Sequence, residues 1–196
     1  AIVEEVDCSP AQLQINELNT SLYCIEADWL WDALDRITLS PKGEYYLTDL
    51  VGIAVGEGLS VQSVTITDPI EVIGINTRVH LAEATTQLQE RINRKWMLEG
   101  VTIVDPKSTY IEIGVTIGQD TVILPNTHLQ GKTQLGKACT IGPNTVIRDT
   151  KVGNHCVIFS SVLEQAVLED QVDIGPFGHL RKGAHLAEGV HMGNFG

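Results

Sequence analysis

Residues 111–147 read IEIGVT IGQDTV ILPNTH LQGKTQ LGKACT IGPNTV I, and an aliphatic side chain opens every block of six: Ile111, Ile117, Ile123, Leu129, Leu135, Ile141 and Ile147. The beat shortens twice, through Val152, Ile158 and Val162, then resumes at Leu168, Ile174, Leu180, Leu186 and Met192. Four places after nearly every opener stands a small or β-branched residue, among them Val115, Thr121, Thr127, Thr133, Cys139, Thr145, Cys156 and Ala166. Two phased inward positions in a repeat of six are too widely spaced for one strand's alternation and out of step with a helix's period. The pattern predicts short strands that turn a corner in every block. Three blocks then close one triangular coil, and each coil stacks on the last as a parallel β-helix. Gly118, Gly136, Gly142, Gly153, Gly175 and Gly193 follow the aliphatic, where a side chain would crowd the bend.

The register has two consequences. The blocks opened by Leu135 and Val152 are three apart with one residue deleted, so Cys139 and Cys156 are expected to stack as neighbouring thiols in the small-residue column. His179, His185 and His191 share an equal spacing that looks like a metal tract, yet residues one block apart lie on successive faces of a triangular coil. One chain cannot bring all three to one ion.

Upstream of the coils, Val79 to Leu98 reads as a connecting helix, with Leu81, Ala84, Leu88, Ile92 and Trp96 on one stripe. Residues 1–78 read as α/β. Strands are expected at Ala1–Val6, Leu22–Ile25, Val61–Ile66 and Glu71–Ile75, and helices at Asp28–Ile37 and Tyr46–Val55, with a turn at Pro41-Lys42-Gly43 between the helices. Trp29, Trp31 and Trp96 are read as packing residues. The expected organisation is thus 1–78 as the later part of a Rossmann-like sheet domain, 79–99 as a linker helix and 100–196 as the first part of a left-handed β-helix.

Composition excludes several classes. A net charge of −12 over 196 residues argues against a nucleic-acid surface, which needs clustered Lys and Arg. No apolar run approaches the roughly 20 residues that span a bilayer. The four cysteines show no CxxC spacing, which argues against a zinc or redox motif and for a reduced, cytoplasmic protein. The opening Ala1 and the absence of a signal-like segment suggest a piece of a longer chain.

Four stretches ahead of the coils carry a family resemblance: Ile2-Val3-Glu4, Glu17-Leu18-Asn19-Thr20, Gly43-Glu44-Tyr45-Tyr46-Leu47-Thr48-Asp49 and Gly74-Ile75-Asn76-Thr77-Arg78. With the long helix and the hexads behind them, they resemble the bacterial bifunctional N-acetylglucosamine-1-phosphate uridylyltransferase / glucosamine-1-phosphate N-acetyltransferase family, of GlmU type. The resemblance implies acetyl transfer from acetyl-CoA to glucosamine 1-phosphate, then uridylyl transfer from UTP to N-acetylglucosamine 1-phosphate with Mg²⁺. It also implies homotrimers and a role in supplying cell-wall and lipopolysaccharide precursors.

Carried over by motif, Glu4 and Asn19 resemble residues that hold the sugar of UDP-N-acetylglucosamine. Asn76 resembles one that also gives an oxygen to Mg²⁺. Arg181, in Gly-Pro-Phe-Gly-His-Leu-Arg-Lys-Gly, resembles the arginine that binds substrate phosphate in the acetyltransferase site, a task suited to a guanidinium fork. Ser21, Gly178 and Lys182 depart from the usual Gly, Ala and Pro of the pattern. The resemblance places the glycine-rich phosphate loop and the second metal ligand upstream of Ala1, and the catalytic histidine, a lysine and the CoA-binding coils downstream of Gly196. No catalytic residue is therefore assigned here, and the piece alone is expected to catalyse neither reaction. The competing expectations are a related nucleotidylyltransferase whose β-helix is only structural, and a non-catalytic trimerising scaffold.

Overall fold

The computed structural model describes residues 2–40 and 42–195 and divides into two compact units, Ala1–Val72 and Ile73–Gly196. Ala1 of the first expected strand and Pro41 of the expected turn lie outside the described residues.

The second unit is the left-handed parallel β-helix of the hexad pattern. Among the described residues, sixteen strands of two or three residues form three parallel sheets, one per face. One sheet stacks Ile103, Ile123, Ile141, Ile158, Ile174 and Met192 in register. Another stacks Ile111, Leu129, Ile147, Leu163 and Leu180. The third stacks Ile117, Leu135, Val152, Leu168 and Leu186.

Each edge buries two side chains, the opener and the small residue two places before it. Ile123, Leu129, Ile141 and Ile147 are fully buried, as are Thr121, Thr127, Thr133 and Thr145. The buried threonines are satisfied locally: Thr133 Oγ1 donates to Gln130 O at 2.7 Å, and Thr121 Oγ1 to Gly136 O at 2.9 Å. Cys139 and Cys156 occupy the same column as free thiols, one coil apart.

One inward position differs from the sequence reading. Val162 is 38% exposed, and Leu163, at 0%, takes the interior place between Ile147 and Leu180. The edges that end on Val152, Leu163 and Leu168 therefore have five residues each, so the beat shortens three times. Thr150 and Ser161 fill the small column at those edges, at 1% and 2% exposure.

Helix α3 (Arg78–Leu98) opens this unit, capped by Thr77 Oγ1, which accepts from the His80 N–H at 3.1 Å. The stripe that meets the first coil is the expected one only in part, at Ile92 and Trp96. Leu81 and Leu88 are exposed, and the docked face carries Gln89, Ile92, Asn93 and Trp96. The reason is polar: the coil's leading edge presents unpaired carbonyls, and amide side chains satisfy them. Asn93 Nδ2 donates to Pro106 O and Thr109 O at 2.9 and 3.0 Å, and Gln89 Nε2 to Thr109 O at 2.7 Å.

The first unit corrects the α/β expectation. No strand occurs among its described residues, and the Rossmann-like part is not in this chain. The segments expected as strands are extended or 3₁₀, with Glu5–Asp7 and Pro69–Val72 in single turns. A strand is stabilised by the ladder beside it, and none of these segments finds one. The two helices form as α1 (Ala27–Leu34) and α2 (Asp49–Gly56). Their shared core is small, with Ala33, Leu50 and Ala54 buried. Trp31 is 67% exposed instead of packed, whereas Trp29 Nε1 donates to Glu57 Oε2 at 2.7 Å and Arg36 pairs with the same carboxylate.

Candidate substrate-binding cleft on the β-helix

A cleft of about 360 Å³ opens at one corner of the coil and is lined by Arg148, Glu164, Gln165, His179, Arg181 and Lys182. The parallel register builds it. On the strands His128–Gln130, Val146–Arg148 and Val162–Glu164, the last residue of each points outward, and Gln130, Arg148 and Glu164 stand on successive rungs. Leu163 pairs with Leu180, so Arg181 follows on the next rung. Burial of Leu180 in the interior leaves the residues on either side of it, His179 and Arg181, facing out.

Polar contacts tie three of these rungs together. Arg148 Nε and Nη2 donate to Gln130 Oε1 at 3.1 and 2.9 Å, and Nη1 reaches Glu164 Oε1 at 3.5 Å. Glu164 Oε2 lies 3.4 Å from His179 Nε2. Arg181 and Lys182 have no ion-pair partner among the described residues. Their backbone is set by a turn in which the Ala184 N–H donates to Arg181 O and the Gly183 N–H to Gln165 O, both at 3.0 Å. Two unpaired cations beside an open cleft suit a small anion, above all a phosphate.

The remaining sequence-assigned residues lie elsewhere. Glu4 is half-buried in the first unit and its Oε1 accepts from Thr48 Oγ1 at 3.1 Å. Asn19, in the same unit, donates from Nδ2 to the Tyr23 hydroxyl at 2.6 Å, so these two side chains engage separate partners. Asn76 belongs to the second unit, exposed just ahead of α3, where its backbone N–H points to His80 Nδ1 at 3.4 Å.

A hard cation such as Mg²⁺ requires several oxygen ligands. Asn76 offers one amide oxygen, and no cluster of three His, Cys, Asp or Glu residues able to hold a metal occurs among the described residues. The residues present do not complete a Mg²⁺ site. The three spaced histidines lie on three different faces, each beside a carboxylate one coil back: His179 with Glu164, His185 with Glu169 at 2.9 Å and His191 with Asp173 at 2.9 Å.

Residues 114–149 match the model of the bacterial transferase hexapeptide (six repeats). Across its whole length the chain aligns with the bifunctional protein GlmU of Geotalea uraniireducens (strain Rf4), at 46% identity over 196 residues that make up 99% of this chain and 43% of that protein. The bifunctional protein GlmU of Heliobacterium modesticaldum (strain ATCC 51547 / Ice1) is 44% identical over 100% of this chain and 43% of its own length. The chain belongs to the GlmU family. It spans less than half the length of these GlmU relatives. Among solved structures, the acetyltransferase domain of PglB from Neisseria gonorrhoeae FA1090, in complex with acetyl coenzyme A, is 17% identical with a TM-score of 0.46 over 55% of this chain and 57% of that one.

Of the cleft residues, the family motif pointed to Arg181 alone. His179 and Lys182 stand in the same motif, whereas Arg148 and Glu164 were legible only by stacking the blocks with their five-residue edges in place. No helix of the described residues is long and apolar enough to cross a membrane.

Proposed function

We propose that the β-helix of this chain contributes a substrate-phosphate subsite to a GlmU-type acetyltransferase, in which an acetyl group passes from acetyl-CoA to the amine of glucosamine 1-phosphate. The observation that carries this reading is the pair of unpaired cations, Arg181 and Lys182, on the corner cleft of a hexapeptide coil whose sequence is that of the family. The chain's own contribution is binding. Arg181 presents a planar fork of donors to phosphate oxygens, and the buried Leu180 beside it fixes where the fork starts. Catalytic residues and the CoA contacts are not assigned to this chain. The protein works as a homotrimer in the cytoplasm, taking sugar phosphates and nucleotide sugars as partners.

Titration of the 196-residue protein with glucosamine 1-phosphate tests the subsite. Loss of a charge-assisted contact to phosphate corresponds to about 1.5–3 kcal/mol, so Arg181→Ala should weaken binding by about tenfold to a hundredfold. Equal affinity for glucosamine and glucosamine 1-phosphate would sink the subsite.

A second part of the proposal concerns uridylyl transfer, with UTP and Mg²⁺ as the family's co-substrate and metal. Here Glu4 and Asn19 hold the sugar of UDP-N-acetylglucosamine and Asn76 supplies one oxygen of a Mg²⁺ site that the described residues alone do not complete. Support comes from their places in the family motifs and from side chains whose groups suit sugar hydroxyls and an acetamide. Calorimetric titration with UDP-N-acetylglucosamine, with and without Mg²⁺, should show weaker binding in Asn19→Ala and a lost Mg²⁺ effect in Asn76→Ala. A Mg²⁺ dependence left unchanged in the latter removes the metal role.

A further inference from the structure

We propose that His179 and Arg148 are positioning residues that keep Arg181 free for a phosphate monoester by holding both oxygens of Glu164, the carboxylate beside it, and that Lys182 is a second phosphate ligand. The inference deepens the subsite reading above and rests on it.

Glu164 and Arg181 are opposite charges one rung apart on neighbouring parallel strands, since Leu163 pairs with Leu180 just before them. Adjacent rungs lie about 4.8 Å apart, a separation at which such side chains ordinarily pair. A guanidinium closed onto a carboxylate has its fork occupied and its charge cancelled. Here the pair does not form. Glu164 Oε1 is drawn one coil back to Arg148 Nη1 at 3.5 Å, and Oε2 is held by His179 Nε2 at 3.4 Å.

Arg148 is itself fixed, because two of its nitrogens donate to Gln130 Oε1. The chain Gln130, Arg148, Glu164, His179 thus commits the only carboxylate among the described residues that line the cleft. Arg181 and Lys182 are left as adjacent cations at the corner, where Gly183 turns the backbone at φ +86°. Removal of His179 frees Oε2, and Arg181 offers a guanidinium one rung away that lines the same cleft. The carboxylate would then compete with the anion for the same donors.

The test uses the 196-residue protein and inorganic phosphate, followed by calorimetry and by the Arg181 Nε–Hε resonance. His179→Ala should weaken phosphate binding about threefold, the scale of an exposed ion pair gained by the competing carboxylate. His179→Ala combined with Glu164→Gln should recover wild-type affinity, because the amide no longer competes for Arg181. A merely structural role for His179 would not be rescued in this way. Lys182→Ala should also weaken binding about threefold, by loss of one exposed cation.

Unchanged binding in His179→Ala, or no recovery in the double variant, overturns the positioning role while a loss in Arg181→Ala leaves the subsite standing. Unchanged binding in Lys182→Ala removes that residue as a ligand. Equal phosphate binding by the wild type and Arg181→Ala overturns the subsite itself.

Discussion

Gly136→Ala tests the stacking geometry most directly. Gly118, Gly136 and Gly153 sit on one corner in successive coils, and a Cβ on Gly136 would lie 2.3 Å from Gly153 O and 2.5 Å from its carbonyl carbon. Both atoms are backbone, so no side chain can swing aside. Restoring an ordinary contact needs about 1 Å of separation between the coils. The hydrogen bond closing that corner, from the Gly136 N–H to Val152 O, is 2.9 Å long. Opened by about 1 Å it passes beyond hydrogen-bond range.

The expected cost is about 1–3 kcal/mol for the overpacking and about 1 kcal/mol for the bond, together about 2–4 kcal/mol. Gly193→Ala is the control, since nothing lies within 4 Å of its would-be Cβ. Urea unfolding followed by the far-ultraviolet strand signal isolates the β-helix, because every strand among the described residues lies in that unit. The control should stay within about 0.5 kcal/mol of wild type, the range of an ordinary surface change. A Gly136→Ala protein as stable as the control would refute the close approach of the coils.

Leu163→Ala should destabilise the β-helix by about 2–5 kcal/mol and Val162→Ala by less than about 1 kcal/mol; the reverse order in the same urea assay would restore the Val162 register. The Cys156 thiol holds the neighbouring Cys139 thiol down at about 7 while Cys139 pushes Cys156 up, yet both side chains are buried and donate to backbone carbonyls, Cys139 Sγ to Gly153 O and Cys156 Sγ to Glu169 O, each at 3.2 Å. Iodoacetamide should therefore label Cys24 in the native protein and reach Cys139 only on unfolding, and mass-spectrometric detection of prompt Cys139 labelling would contradict the burial. Backbone and side-chain hydrogen bonds hold Asp105, Glu169 and Asp170 below the usual carboxylate range, so the unfolded chain takes up more protons than the folded one as pH falls. The stability these groups add is complete above their ordinary range near 4.5 and 3.8 and is lost as pH falls through their lowered values, so the urea midpoint should drop on acidification, and less in Glu169→Gln.

The sequence carried the coil because its interior demands the same thing at every edge. Ile141 and Ile147 could be placed without a partner in view, since a large aliphatic between two small inward residues has one face to go to. The phase failed at Val162-Leu163, where two adjacent apolar residues fit either register. The choice is made by Ile147 below and Leu180 above, which pair with Leu163. The first unit failed for the opposite reason. Runs such as Val61–Ile66 suit a strand, but strand propensity expresses fit to a neighbour, and no neighbouring strand stands beside them.

The cleft was hidden by the same short edges. Gln130 and Arg148 are 18 residues apart, three full blocks, whereas Arg148 and Glu164 are 16 apart because two of the intervening edges have five residues. From Glu164 to Arg181 the step is 17, with one five-residue edge. A search at a fixed period of 18 would pair Arg148 with Ala166 and miss the carboxylate. The irregular edges therefore do more than interrupt the repeat. They change the sequence separation of the outward residues while the interior stays in register, and Gln130, Arg148, Glu164 and Arg181 align on one face because each directly follows a stacked inward aliphatic, Leu129, Ile147, Leu163 and Leu180. Adding one residue to the edge that ends on Leu163 would restore a six-residue edge and leave Glu164 on its rung, because the rung follows from the step after the inward Leu163 and not from the length of the edge before it.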